Sequence, residues 1–132
     1  MLQYMLDTNI CIYVMNEHST KLREQFNELA DQLCISSISL AELFFGAEKS
    51  QRRAENLETI EQFVSRLAVL PFSLKAAAHY GQLRASLARS GKLAGPHDML
   101  IGAHARAEGL IVVTNNVREF ERMDGVRVEN WI

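Results

Sequence analysis

The chain has 132 residues, a formal net charge of −2 at neutral pH, and 48% hydrophobic against 23% charged residues. This is the size and composition of one globular domain with a real core, so residues 1–132 are read as a single domain. The near-neutral charge excludes a general polyanion binder and leaves only a local patch for any nucleic-acid contact.

Leu2, Tyr4, Met5 and Leu6 predict a short buried strand that ends abruptly in Asp7-Thr8-Asn9, with a short helix over residues 10–15. A second helix, capped by Ser19 or Thr20, follows with Leu22, Phe26, Leu29 and Ala30 on its apolar face. Leu33-Cys34-Ile35 predicts a second buried strand. Beyond Ser36-Ser37 comes a helix carrying Leu40, Leu43, Phe44 and Ala47, with Glu42 near its first turn. Residues 48–55 are polar and basic and read as a connection. Leu57, Ile60, Phe63, Val64 and Leu67 then recur at helical spacing. Residues 69–72 predict a strand broken by Pro71, which suits a sheet edge. Ser73 caps a long helix through Ala76, Tyr80, Leu83 and Leu87 that stops near Gly91.

After Gly95-Pro96, His97-Asp98 opens a helix over residues 99–108 that is apolar on most sides and therefore buried; Gly109 closes it. Residues 110–113 are the clearest strand, unbroken and β-branched as a central parallel strand would be. Thr114-Asn115-Asn116 ends it, a short helix spans residues 118–122, and a last strand spans residues 126–131. Strands separated by helices, without a hairpin signal, give an α/β fold: a three-layer α/β/α sandwich around a mostly parallel sheet of four to five strands. Cys11 and Cys34 stand in apolar settings and read as buried thiols of a reducing cytosol. The N-terminus lacks a signal-peptide pattern and no apolar run reaches membrane-span length, so a cytoplasmic protein is expected, without membrane association.

Asp7, Glu42 and Asp98 all fall on the side of the sheet where strands end, the side on which open α/β sheets bind ligands. Carboxylates gathered there repel unless a cation joins them, and hard oxygen donors with room for water suit Mg²⁺ or Mn²⁺. Each acid also has a plain structural reading. Asp7 or Asn9 can cap the first helix, Ser39-x-x-Glu42 matches a capping box, and Asp98 suits a helix's first turn. Their common address favours a site. His79, His97 and His104 show no zinc spacing and read as structural or surface residues. Ser36-Ser37 lacks visible partners for a hydrolase triad, and there is no Gly-rich phosphate loop.

The runs Met5-Leu6-Asp7-Thr8-Asn9-Ile10, Ser36-Ser37-Ile38-Ser39-Leu40-Ala41-Glu42-Leu43 with Gly46, Gly95-Pro96-His97-Asp98-Met99-Leu100-Ile101-Gly102-Ala103-His104-Ala105, and Val113-Thr114-Asn115-Asn116-Val117-Arg118-Glu119-Phe120 resemble, in order and spacing, the motifs of PIN-domain ribonucleases of the VapC toxin type. The resemblance covers essentially the whole chain. It implies a PIN-like sandwich and a Mg²⁺- or Mn²⁺-dependent endoribonuclease acting on structured RNA, commonly tRNA in the anticodon region. It also implies a bacterial toxin restrained by a VapB-type antitoxin whose C-terminal segment fills the groove. A homodimer is expected, joining its antitoxin in a larger complex that binds promoter DNA through the antitoxin.

By position, Asp7, Glu42 and Asp98 form the implied acidic core, with Asp7 and Asp98 as metal ligands and Thr8, Asn9 and Thr114 in support. Many PIN domains carry a fourth acid where this chain has Asn116, and Glu119, one turn on, is the candidate substitute; a two-metal mechanism is not asserted. Lys49, Arg52, Arg53, Arg84, Arg89 and Lys92 are the basic residues expected to meet RNA phosphates. Rival readings are a haloacid-dehalogenase-like phosphatase, which would need an Asp at Asn9; a receiver domain, which would need a Lys after a late strand; and a non-catalytic binding module with ordinary capped helices.

Overall fold

Five short strands, β1 (Tyr4–Leu6), β2 (Leu33–Ser36), β3 (Ala68–Leu70), β4 (Ile111–Val113) and β5 (Arg127–Glu129), form one sheet in the order β3-β2-β1-β4-β5. The computed structural model describes residues 1–16 and 20–132. All neighbouring strands run parallel, so the carboxyl ends of all five open on the same lip. β1 is the middle strand. β4, expected to be central, is interior beside it, and β3 is the edge strand foreseen from Pro71.

Side chains of successive strand residues leave opposite faces, and the core divides accordingly. Leu6, Leu33, Ile35 and Val113 point into a cluster with Ile10, Phe26, Leu43, Ile60 and Phe63. These come from helices α1 (Thr8–Met15), α2 (Thr20–Leu29), α3 (Ser37–Glu48) and α4 (Arg53–Val64). Met5, Cys34 and Val112 point the other way, into a cluster with Leu83, Leu87, Met99, Ile101, Phe120 and Met123. Those belong to α5 (Leu74–Arg89), α6 (Pro96–Glu108), α7 (Val117–Glu121) and the turn after it. The result is the expected three-layer α/β/α sandwich, closed on both faces of a parallel sheet.

Several boundaries differ from the sequence pattern, each for a local reason. α1 begins at Thr8 because Asp7 is its cap, its carboxylate accepting from the Ile10 N–H. α4 starts at Arg53, four residues before the first apolar position of the periodicity, and Leu67 lies beyond its end while still packing on the first cluster. α6 starts at Pro96, where a fixed φ and a missing N–H cost nothing. Gly109 ends α6 with φ 70°, a left-handed turn that a side chain would resist. β5 is shorter than expected; Trp131 instead packs edge-on against Tyr4 at 5.1 Å. Ser19, one of two expected caps for α2, lies outside the described residues, and Thr20 is the first residue of that helix. Cys11 and Cys34 are free and buried, and burial pushes the Cys34 thiol up to about 12. Among the described residues no helix is long and apolar enough to cross a membrane.

Candidate active site at the carboxyl end of the sheet

Because β1 and β4 are parallel neighbours, the residues just past their ends meet. The Asp7 N–H donates to the Val113 carbonyl at 3.0 Å, which brings Asp7 beside Thr114. Asp7, 3% exposed, is held at both oxygens. Oδ1 accepts from the Ile10 N–H at 2.9 Å and Oδ2 from the Thr114 hydroxyl at 2.5 Å. Thr114 is itself fixed, its Oγ1 accepting from the Asn116 N–H at 2.9 Å. Burial raises the Asp7 pKa, the Thr114 and Ile10 hydrogen bonds oppose the rise, the charge of Glu42 adds to it, and the Asn9 N–H lowers it again.

Glu42 reaches the same lip from the second turn of α3. Its Oε1 accepts from the Thr8 hydroxyl at 3.0 Å, and its Oε2 lies 3.1 Å from His97 Nδ1. Asp98 comes from the first turn of α6 and is half-buried. Its pKa is pushed up to about 6, first by burial and then by the charges of Asp7, Glu119 and Glu42, with His97 pulling the other way. Asp98 therefore senses every other acid of the candidate set. Glu119, in the first turn of α7, accepts from the Gly95 N–H at 3.1 Å and lies 3.8 Å from Arg122.

The cap and the site readings of Asp7 thus hold together: one oxygen caps α1 and the same carboxylate faces the pocket. The Ser39-x-x-Glu42 capping box does not form. Ser36 caps α3 by accepting from the Ile38 N–H at 3.1 Å, while Ser39 is buried inside the helix, its hydroxyl without a partner among the described residues. Thr8 and Thr114 support the acids through their hydroxyls. Asn9 does so through its backbone, and Asn116 meets Thr114 only through its own N–H.

The six basic residues expected to meet RNA are all exposed, and several are engaged near home. Arg53 binds Glu48, Arg52 pairs with Glu55 at 3.5 Å, Lys49 lies over Phe45, and Arg84 donates to the Tyr80 hydroxyl. Two basic residues outside that set touch candidate acids, Arg122 at Glu119 and His97 at Glu42; His97, read from the sequence as a structural or surface residue, stands beside Asp98 in Gly95-Pro96-His97-Asp98, and that adjacency is the available signal. Ser36, read as lacking a histidine partner, has one: its hydroxyl lies 2.8 Å from Nδ1 of His104. Both residues are completely buried, away from any substrate.

The donor set is all oxygen and carries mutual repulsion that a divalent cation would relieve, so its chemistry fits Mg²⁺ or Mn²⁺. Among the described residues no three His, Cys, Asp or Glu side chains already close into a metal cage.

The PIN domain family matches residues 4–126. The chain is 54% identical over 131 residues to the tRNA(fMet)-specific endonuclease VapC of Shigella flexneri, covering 99% of each chain. Its structure is similar to the toxin chain of DNA-bound VapBC from Salmonella typhimurium, with a TM-score of 0.97, 52% identity and complete coverage of both chains. It is also similar to VapBC2 from Rickettsia felis bound to a promoter DNA fragment, with a TM-score of 0.94, 41% identity and coverage of 99% and 100%.

Proposed function

Because the chain belongs to the PIN-domain family, as a ribonuclease of the VapC toxin type, we propose that it is a Mg²⁺- or Mn²⁺-dependent endoribonuclease that cuts structured RNA, with tRNA(fMet) in its anticodon region as the first substrate to try. The observation that carries this reading is the convergence of Asp7, Glu42 and Asp98 at one lip, where burial first and then the charges of Asp7, Glu119 and Glu42 raise the Asp98 pKa to about 6.

In the proposed reaction Asp7 and Asp98 hold the ion. When bound, the ion supplies Lewis acidity, making water acidic enough to attack at neutral pH and neutralising charge on the phosphoryl oxygens. Thr114 and the Ile10 N–H keep Asp7 turned toward the pocket. Glu42, anchored through Thr8, orients the attacking water and accepts its proton. Water attacks in line, the bond to the 3′ oxygen breaks, that oxygen takes a proton from solvent, and the products carry 5′-phosphate and 3′-hydroxyl ends. Lys49, Arg52, Arg53, Arg84, Arg89 and Lys92 supply sequence-independent phosphate contacts.

The partner is a VapB-type antitoxin. Ile12, Met15, Leu43, Ala47 and Ile60 line a groove together with Glu42, so an antitoxin segment lying in it meets that acid. Phe44 and Phe45, 42% and 66% exposed, add apolar surface suited to a homodimer or to the antitoxin. The assembly binds its promoter through the antitoxin, a reading supported by the neighbouring VapBC complexes, which are bound to DNA in Salmonella typhimurium and to a promoter fragment in Rickettsia felis.

The deciding experiment incubates the purified chain with tRNA(fMet) and with total bacterial RNA, in Mg²⁺ or in EDTA, and maps the new 5′ ends. Discrete 5′-phosphate ends in Mg²⁺ alone are expected. Cleavage that persists in EDTA, or 2′,3′-cyclic phosphate products, would overturn the mechanism, and no cleavage of any RNA would favour a binding module.

A further inference from the structure

The acids of the pocket are held in different ways. Asp7 and Glu42 are fixed by hydroxyl and backbone donors from neighbouring elements. Asp98 has no such donor among the described residues. Its carboxylate stands where the backbone of α6 puts it, and that backbone is gripped at its start.

Gly95 caps α6, its carbonyl accepting from the Met99 N–H at 3.0 Å. Its own N–H donates to Oε2 of Glu119 at 3.1 Å. The other oxygen of Glu119 lies 3.8 Å from Nη2 of Arg122, and Nη1 of Arg122 donates to the Leu93 carbonyl at 3.1 Å. Side chains from α7 and the residue after it therefore clasp the segment leading into α6 at two points, Leu93 and Gly95. Gly95 is also the residue against which Asp98 packs: a Cβ there would stand 3.3 Å from Oδ2 and 3.8 Å from Cγ of Asp98. Its φ of −59° is open to any residue, so what a side chain there would disturb is space: the Asp98 carboxylate would have to give by a few tenths of an ångström.

Resting on the ribonuclease reading, we propose that Glu119 is a positioning residue for Asp98. Its carboxylate serves as acceptor for the Gly95 N–H, and with Arg122 it sets where the Asp98 carboxylate stands; it is neither a further metal ligand nor the base. The distinction is chemical. Accepting one N–H needs an oxygen, which an amide also provides, whereas ligating a hard cation or taking a proton from water needs the charge of a carboxylate. Supporting hydrogen bonds of this kind are worth about 10- to 100-fold in metal affinity or turnover.

The test compares wild type with Glu119→Gln, Glu119→Ala, Gly95→Ala and Arg122→Ala. Mn²⁺ binding is titrated without RNA, and kcat and KM are measured on the cleaved RNA. Glu119→Gln is expected to stay within about threefold of wild type in both, because the acceptor survives. Glu119→Ala is expected to lose about 10- to 100-fold in Mn²⁺ affinity and kcat with KM unchanged. Gly95→Ala is expected to show the same loss with Glu119 intact and the melting temperature preserved, which covers the case in which Glu119→Ala fails to fold. Arg122→Ala is expected to show a smaller loss in the same direction.

A Glu119→Gln variant as impaired as Glu119→Ala would overturn the proposal, as would wild-type Mn²⁺ binding in Glu119→Ala and Gly95→Ala. Failure of the wild-type chain to cut RNA would sink the ribonuclease reading alone, since the Mn²⁺ titration still reports on the clasp.

Discussion

Two helix starts deliver an aspartate to the same pocket and treat it differently. At the start of α1, Asp7 is buried, caps the helix, and has one oxygen on the Ile10 N–H and the other on the Thr114 hydroxyl. At the start of α6, Asp98 is half-buried and has no hydrogen-bond donor of that kind among the described residues; burial first, then repulsion from Asp7, Glu119 and Glu42, raises it to about 6. Stabilisation by fixed donors favours the ionised form, whereas burial among like charges favours the protonated one. The pair teaches that a site for a hard cation can combine one anchored ligand with one strained ligand. The anchor fixes the geometry, and the strain is relieved when a positive charge arrives.

Removing the anchor should have the largest effect. Asp7→Asn keeps an oxygen for the Ile10 N–H and so keeps the cap, but loses the charge and presents an amide NH₂ to Thr114, whose hydroxyl donates there in the wild type. RNA cleavage is expected to fall by at least about 100-fold while the fold survives. Circular dichroism and cleavage on the same preparation check both halves. A variant that still cuts at wild-type rate would refute the assignment of Asp7.

Loosening the anchor should come next. Thr114→Val keeps the shape, leaves Oδ2 of Asp7 without its donor and leaves the Asn116 N–H without its acceptor. A loss of about 10- to 100-fold in turnover is expected, with about 1–3 kcal/mol of stability for polar groups left unsatisfied. Urea melts alongside single-turnover cleavage separate the two. Unchanged cleavage with lowered stability would reduce Thr114 to a structural residue.

How far these roles could be read from the sequence depends on how local they are. The β-branched run ending at Val113 and the apolar run ending at Leu6 announce their strands, and parallel strands then place Asp7 and Thr114 together almost by necessity. The cap of α3 was less legible because Ser36, Ser37 and Ser39 offer three similar hydroxyls within one turn. The choice falls to Ser36 because β2 pairs with β3 as far as Ser36 opposite Leu70, and the helix can begin only after that. The meeting of His97 with Glu42 joins α6 to α3 across the lip, and no periodicity encodes it. The pairs that Arg52 and Arg53 make with Glu55 and Glu48 are the opposite case, because their partners stand three and five residues away in the chain.

The strained ligand yields the smallest effect, and its sign identifies it. The Asp98 carboxyl moves from 3.8 to about 6 on folding. Between those values the native chain binds a proton that the unfolded chain has released, so stability falls as pH rises through that window. Asp7, also raised, acts in the same direction. At pH 7 without metal an ionised Asp98 therefore destabilises the fold, by about 1–2 kcal/mol once solvent screening of a half-buried group is allowed for. Asp98→Asn should remove that penalty, making the metal-free variant more stable than wild type at pH 7 and nearly equal to it at pH 4, as read by urea midpoints in EDTA. Mg²⁺ should then stabilise wild type more than the variant, because the ion binds the folded pocket and the variant lacks a ligand. A variant that is less stable than wild type at pH 7 would mean that Asp98 is held by favourable contacts after all, and the contrast between the two helix starts would disappear.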